Sequence, residues 1–350
     1  MKTVRVNASS SYDIIIGKGI LDSLGEKLQS SVGACRLCLV TDDVVDPLYS
    51  KKATDSLEAV GYSYEKFVIT NGETSKNTTN LIALLEFLAE KRFTRRDCII
   101  ALGGGIVGDL SGFAAGVFLR GIRFVQVPTT LLAAVDSSVG GKTAVDLVAG
   151  KNLAGVFHQP SLVLCDVSTL DTLEPRIFSD GCAEVIKYAI INDCPMFERL
   201  LGCGIKSNVE EIIADCVTHK AEIVAKDEFD NGCRQLLNLG HTVGHAIELC
   251  SNLKISHGSA VAIGTVVVTK MAVALGICPE EDLYLIEDML KSEGLPTRCN
   301  FSAEELAAVA TADKKRSGDT ITLIVPYGIG NCKPLKISVN ELVSYIKKGL

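Results

Sequence analysis

The 350-residue chain lacks low-complexity tracts and fixed-period repeats, so nothing in its composition works against packed domains. Its opening, MKTVRVNASSSYD, has no apolar stretch of signal-peptide length, which sets an expectation against secretion. No long segment is free of polar groups either. The most apolar one, 260–277, contains Thr265, Thr269 and Lys270 and suits a buried helix rather than a membrane span, so no membrane partner is expected. Cations are outnumbered, with a formal charge of −7, which argues against nucleic-acid binding because phosphate-backbone affinity needs clustered Lys and Arg. A small anion remains possible where basic residues cluster locally. Histidine is scarce, with five in all, so any grouping of them carries information.

What is present is apolar and foldable. A hydrophobic content of 47% over this length is enough for two cores, and a charged fraction of 22% excludes a disordered chain. The thirteen cysteines are scattered singly through apolar runs, in the manner of small core hydrophobes, and imply a reducing cytoplasm. The one C-x-x-C, Cys35 to Cys38, has no second pair to complete a zinc site and reads as strand packing.

In the first half, short β-branched runs (YDIIIG, CRLCLVTDD, YEKFVIT, CIIALGGG, FVQVPTT, LVLCDV) alternate with helical patterns such as 47–60 and 77–91. That alternation predicts an α/β domain with a largely parallel sheet. After about Asp171 amphipathic patterns take over, at 181–200, 209–226, 242–249, 259–275, 279–293 and 303–312, and predict a mainly helical domain. TITLIVPYG reads as a strand or two within it. The expected division is 1–170, a Rossmann-like α/β domain, and 171–350, a helical domain.

Gly103, Gly105 and Gly108 form G-x-G-x-x-G directly after the apolar run at 98–102. Glycines at the mouth of a helix let the backbone approach a pyrophosphate, whose charge the helix N-terminal amides stabilise. The alternative is a plain glycine-rich turn. A dinucleotide fingerprint also calls for an acid at the end of the next strand, and FVQVPTT has none. Asp42 and Asp43 instead end an earlier strand, which implies a different strand order from a plain Rossmann dehydrogenase. With no basic residue beside it, Asp42 favours NAD over NADP.

Three of the five histidines, His241, His245 and His257, fall within NLGHTVGHAIE and KISHGSAVA. Residues four apart share a helical face, so His241 and His245 can enter one cavity. Two imidazoles and a carboxylate suit catalytic zinc, though spacing alone does not say which two histidines ligate. His158 and His219 carry no such pattern and read as structural. Lys142 in SSVGGKTAVD, and Lys151 with Asn152 in AGKN, lie in glycine-rich surroundings suited to anions. Glu184 and Lys187 in AEVIKY share a helical face, and their apolar setting demands partners for both charges.

Taken together, GGGIVGDLSGFAAGVFLRG, VPTTLLAAVDSSVGGKTAVD, GKNLAG, GCAEVIKY, HKAEIVAKDE, RQLLNLGHTVGHAIE, the glycine-flanked His257 and ADKK resemble the 3-dehydroquinate synthases, over about residues 12–330. The resemblance implies an NAD-binding domain, a helical metal- and substrate-binding domain with the site between them, and a homodimer. It implies metal ligands Glu184, His241 and His257 for Zn2+ or Co2+, with His245 as an acid/base group. Implied substrate contacts are Arg120, Asp136, Lys142, Asn152, Lys187, Lys220, Arg234, Asn238 and one of Lys314 or Lys315, with Asp230 near the site. Implied NAD contacts are Asp42, Glu73 to Lys76, Gly104, Gly105, Ile106, Asp109, Thr129, Thr130, Lys142, Lys151 and the stretch from Thr169 to Thr172.

Two departures from the family pattern bear on this. Glu174 and Ile177 alter the loop before the Glu184 helix, and Asp230 stands where the family has Glu, which puts a direct proton-transfer role there in doubt. The implied reaction takes 3-deoxy-D-arabino-heptulosonate 7-phosphate to 3-dehydroquinate and phosphate through transient oxidation, elimination, re-reduction and aldol closure. A metal-dependent polyol dehydrogenase would not need the dense cation set and would accumulate NADH. Other sugar-phosphate cyclases are nearer rivals, against which Arg234, Asn238 and His245 speak by resemblance. A catalytically silent binding protein would have lost ligands that are all present here.

Overall fold

A computed structural model describes residues 1–312 and 319–350, so the expected contact from Lys314 or Lys315 lies outside the described residues. The chain forms two compact units, one of Met1–Glu174 with Glu210–Phe229, the other of Pro175–Val209 with Asp230–Leu350. Where the sequence divides the chain once, at 170/171, the structure gives a segment of the second half to the first unit. Its contacts explain why. Glu210 pairs with the N-terminal amine at 2.9 Å, and Lys220 on the helix Val209–Lys226 forms an ion pair with Asp136. Glu228 then accepts from the Ser9 amide and hydroxyl, both at 2.7 Å, and from Gln159 at 2.9 Å.

The first unit contains β1 (Lys2–Val6), β2 (Tyr12–Gly17), β3 (Leu37–Asp42), β4 (Tyr64–Ile69), β5 (Cys98–Gly103), β6 (Arg123–Pro128), β7 (Lys142–Leu147), β8 (Gly150–Phe157) and β9 (Leu162–Asp166). Seven of them form one sheet in the order β1-β2-β9-β6-β5-β3-β4, parallel except for the β1–β2 pair. Its inner strands are covered on both faces, which is why they read as continuous apolar runs rather than alternating ones. Leu39, Ile100 and Val125 join Leu24 and Leu28 on one face, while Val40, Ile99 and Phe124 join Leu84, Leu88 and Leu110 on the other. Cys38 lies within this packing, and burial, reinforced by Glu65, pushes its thiol up to about 12, so it behaves as a small hydrophobe. His158 stacks on Phe124 at 5.3 Å between ring centroids, with Nε2 2.8 Å from the Ile122 carbonyl, a structural role.

Strand order places the end of β3 beside the end of β5, with β4 outside β3 and β6 on the far side of β5. The direction of winding therefore reverses between β3 and β5, and such a switch point opens a crevice at the carboxyl ends of the strands. Asp42 and the Gly103–Gly105 turn stand at that point. β7 and β8 pair as a separate antiparallel hairpin, with Lys142 opposite Phe157.

In the second unit the helices Pro175–Asn192, Cys194–Cys203, His241–Cys250, Glu280–Ser292, Ala303–Ala312 and Leu342–Gly349 accompany His257–Ala274. The expected helix at 181–200 is broken in two, because the Asp193 side chain caps a new start by accepting the Met196 amide at 2.8 Å. His257–Ala274 has a mean hydropathy of 1.4 and is the one described helix long and apolar enough to cross a membrane; 72% of it is buried, as a core helix would be. TITLIVPYG supplies β10 (Thr320–Pro326), which among the described residues pairs with β11 (Cys332–Ser338).

Candidate metal and nucleotide sites

Glycine contacts set the geometry of the candidate metal site. A methyl on Gly258, the neighbour of His257, would lie 2.1 Å from the Asp180 carbonyl, and one on Gly264 would lie 2.1 Å from the Gly240 carbonyl. Only glycine lets the helix His257–Ala274 come this close to both the helix bearing Glu184 and the turn before His241. Asp180 fastens the junction by accepting from Ser256 Oγ at 2.6 Å and from the Ser259 amide at 3.1 Å.

Three side chains converge there. His241 Nε2 lies 3.5 Å and His257 Nε2 3.4 Å from Glu184 Oε1, and the donor atoms of all three residues fall within 4.8 Å of one another. Each ring is oriented from behind, His241 Nδ1 donating to the Leu239 carbonyl at 2.9 Å and His257 Nδ1 to Glu248 Oε2 at 3.3 Å. With its proton held on Nδ1, the neutral His241 turns its Nε2 lone pair inward, while the Nε2 of His257 faces Glu184 and can exchange its proton for a cation. Tetrahedral zinc with ligands at about 2.0–2.1 Å needs neighbouring donors roughly 3.3 Å apart. The donor set fits a divalent ion of that kind.

Glu184 is fully buried, and its two oxygens face different partners: Oε1 the imidazoles, Oε2 the ammonium of the buried Lys187. Burial above all pushes the His241 imidazole down to about 3, keeping it neutral. Burial works against a charged His257 too, but hydrogen bonds to Glu184 and Glu248 hold it up at about 10.

His245 stands beside the cluster, its ring 5.4 Å from that of His241 and 6.0 Å from that of His257. With Glu248 and His257 it forms a second group of possible ligands, in which His257 Nδ1 is hydrogen-bonded to Glu248. A cavity of about 440 Å³ opens here, lined by Gln235, Asn238, His241, His245, Leu249 and Ile321 among others. Arg234 is buried on the same short helix as Asn238, Cys233–Asn238. Asp230 precedes it in a left-handed turn at φ 60.

The residues expected around NAD lie in the first unit. Gly104 caps the helix Gly105–Val117, which includes Ile106 and Asp109, and Thr129 donates its amide to the Gly103 carbonyl at 3.0 Å. A methyl on Gly104 would meet Thr130 at 3.1 Å, and one on Gly105 would meet Ser137 Oγ at 3.1 Å. Thr129 Oγ1 and Ser137 Oγ are buried beside this turn without a hydrogen-bond partner among the described residues. Bare helix amides, glycine clearance and unused hydroxyls fit a phosphate-bearing cofactor.

Lys76 joins several of the expected residues. It pairs with Asp109 and donates to Asn152 Oδ1 at 2.6 Å, while Lys151 lies 3.3 Å from Glu73. Burial opposes its charge, but Asp109 holds the Lys76 ammonium above its ordinary range. Asn152 itself sits at φ 56, with its amide on Asp146 at 2.8 Å. Lys142 stands at the start of β7, and Arg120 occupies a left-handed turn at φ 71. Lys220 reaches the Asp136 carboxylate and, at 2.8 Å, its carbonyl. Thr169 and Thr172 are tied to Tyr49, whose hydroxyl donates to the Thr169 carbonyl at 3.1 Å and lies 2.6 Å from Thr172 Oγ1. The Asp42 carboxylate accepts the Val44 and Val45 amides at 3.0 and 2.9 Å, fixing the turn after β3.

Sequence reasoning missed Glu248, Tyr49 and Gln235. For Glu248 a signal existed, since it lies seven residues beyond His241 on the same helical face. For Tyr49 there was none.

Comparison with known proteins gives the class first. The fold is that of NAD- and metal-carrying cyclases. It matches 2-deoxy-scyllo-inosose synthase complexed with carbaglucose-6-phosphate, NAD+ and Co2+, with TM-score 0.86, 25% identity and all of both chains covered. It also matches 2-epi-5-epi-valiolone synthase from Streptomyces hygroscopicus subsp. jinggangensis 5008, with NAD+ and Zn2+ bound, at TM-score 0.89, 24% identity and 98% of both chains. The family signatures for 3-dehydroquinate synthase match at residues 66–180 for the N-terminal part and 181–316 for the C-terminal part. A 3-dehydroquinate synthase of Clostridium acetobutylicum (strain ATCC 824) is 41% identical over 99% of both chains. The chain belongs to the 3-dehydroquinate synthase family.

Proposed function

We propose that the chain converts 3-deoxy-D-arabino-heptulosonate 7-phosphate to 3-dehydroquinate and phosphate, as a cytoplasmic homodimer with NAD bound in the first unit and a divalent ion in the second. The observation that carries this reading is the Glu184–His241–His257 donor set, with both Nε2 atoms directed at one oxygen of a buried carboxylate, in a chain of this family. The cytoplasmic assignment rests on the thirteen cysteines, all free thiols, and the homodimer on the family resemblance.

When bound, NAD supplies a reversible oxidant for the C5 hydroxyl and the ion a Lewis acid for its oxygen. Glu184, His241 and His257 hold that ion, with Lys187 supplying a fixed positive charge against Glu184. Lys142, Asn152, Arg120, Asp136, Lys187, Lys220, Arg234 and Asn238 bind the phosphate, carboxylate and hydroxyls and fix their orientation, which can contribute on the order of 7 to 11 kcal/mol to the barrier. His245, at the rim of the cluster, handles a proton. Asp42, Glu73, Lys76, Gly104, Gly105, Ile106, Asp109, Thr129, Thr130, Lys142, Lys151, Thr169 and Thr172 form the cofactor's surroundings.

Phosphate release from the heptulosonate phosphate, measured with substoichiometric NAD, tests the proposal. Many phosphates should be released per NAD supplied. Stoichiometric growth of NADH absorbance would instead identify a polyol dehydrogenase.

A further inference from the structure

We infer that Glu248 is a positioning residue of the metal centre, acting through His257. The inference rests on the proposed metal site and deepens it. Glu248 is 2% exposed, a buried carboxylate that needs a compensating donor. It lies on the helix His241–Cys250, seven residues beyond His241, and accepts the His257 Nδ1 proton at 3.3 Å. One rigid helix thus carries both a ligand and the group that orients a second ligand on the following helix.

Two physical effects follow. Accepting the Nδ1 proton fixes the tautomer and the ring plane, so that Nε2 stays 3.4 Å from Glu184 Oε1. The negative charge behind the ring also makes Nε2 a stronger donor toward a cation. Partners of this kind commonly contribute about 10- to 100-fold in metal affinity. Among the described residues His241 has a neutral carbonyl behind it, that of Leu239, so the two imidazoles are unequally supported and His257 has the stronger support. The other arrangement open to Glu248 is direct ligation with His245 and His257.

Zn2+ titration of the metal-free full-length chain against a chromophoric chelator separates these. Glu248→Gln keeps an acceptor but removes the charge and should weaken Zn2+ about 10-fold; Glu248→Ala removes both and should weaken it toward 100-fold. Both should still bind one ion per chain, retain NAD affinity, and give a shifted visible spectrum with Co2+ of unchanged band number. Glu248→Asp, which keeps the charge, should fall between wild type and Gln and serves if either variant fails to fold. Zn2+ affinities within about threefold of wild type in both Gln and Ala variants would overturn the inference. So would complete loss of the ion in Glu248→Ala together with equal loss in His245→Ala, because Glu248 would then be a ligand. Failure of the wild-type chain to bind Zn2+ would reject the metal site itself, a result distinct from either.

Discussion

Gly258 presses its α-carbon against the backbone of Asp180, leaving a clearance of 2.1 Å where a side-chain carbon would stand. This contact holds the start of the His257 helix to the helix of Glu184, so it sets the spacing between two proposed ligands. Gly258→Ala should therefore force the helices apart and lower stability by about 1–3 kcal/mol, as overpacking does. Zn2+ affinity should fall by more than about tenfold, since donor spacing governs it. Chemical denaturation and Zn2+ titration of the variant check both, and an unchanged affinity would show that the contact does not set the spacing.

Each proposed ligand can be separated from its neighbour His245 by substitution. Ala at Glu184, His241 or His257 should lower the bound metal measured after dialysis. His245→Ala should retain the metal and lower turnover by about 100-fold or more, the usual scale for a proton-transfer group. Equal metal loss in His245→Ala would move His245 into the coordination sphere.

Lys76 is the cation that neutralises Asp109 inside the first unit. Removing one partner of a buried pair strands the other, at a cost of about 3–5 kcal/mol. Lys76→Met should therefore lower stability by about 3 kcal/mol in urea denaturation, and adding Asp109→Leu should recover at least half of it. A double variant no more stable than Lys76→Met would mean that the pair is not the source of the loss.

Asp230 adopts φ 60, a backbone conformation that a short polar side chain tolerates better than a long one. This favours a loop-ordering role over direct proton transfer. Asp230→Glu should then change turnover by less than about threefold, roughly 0.65 kcal/mol. A drop beyond about tenfold with NAD and metal binding intact would assign the carboxylate to the chemistry.

The strands at 98–102 and 37–42 were legible because burial on both faces leaves a plain apolar run, and the glycine turn and the histidine pair were legible because their periodicities match their elements. β7, β8 and β11 were not. Their polar and glycine-rich residues pair within local hairpins and carry no apolar run to announce them. Asp42 could be singled out from the missing acid after β6, but only the strand order explains it, since β3 lies beside β5. The break at Asp193 depends on a capping side chain that an apolar pattern does not register. Among the site residues, the proposed ligand set came from motif resemblance, while Glu248 shares a helical face with His241 in the sequence but finds its partner ring only when His257 is placed in space.

The return of Glu210–Phe229 to the first unit has a consequence for how the chain is made and cut. During synthesis the seven-stranded sheet emerges before the helix that carries Lys220, so Asp136 waits without that ammonium until dozens more residues have left the ribosome. Its last contacts close late, across a large separation in sequence, which slows folding relative to a chain of local contacts. A gene fragment ending near residue 170 would deprive Asp136 of Lys220 and leave Ser9 and Gln159 without Glu228. Neither unit corresponds to a single uninterrupted stretch of coding sequence, and a split or swapped version would have to keep all three crossings of the chain.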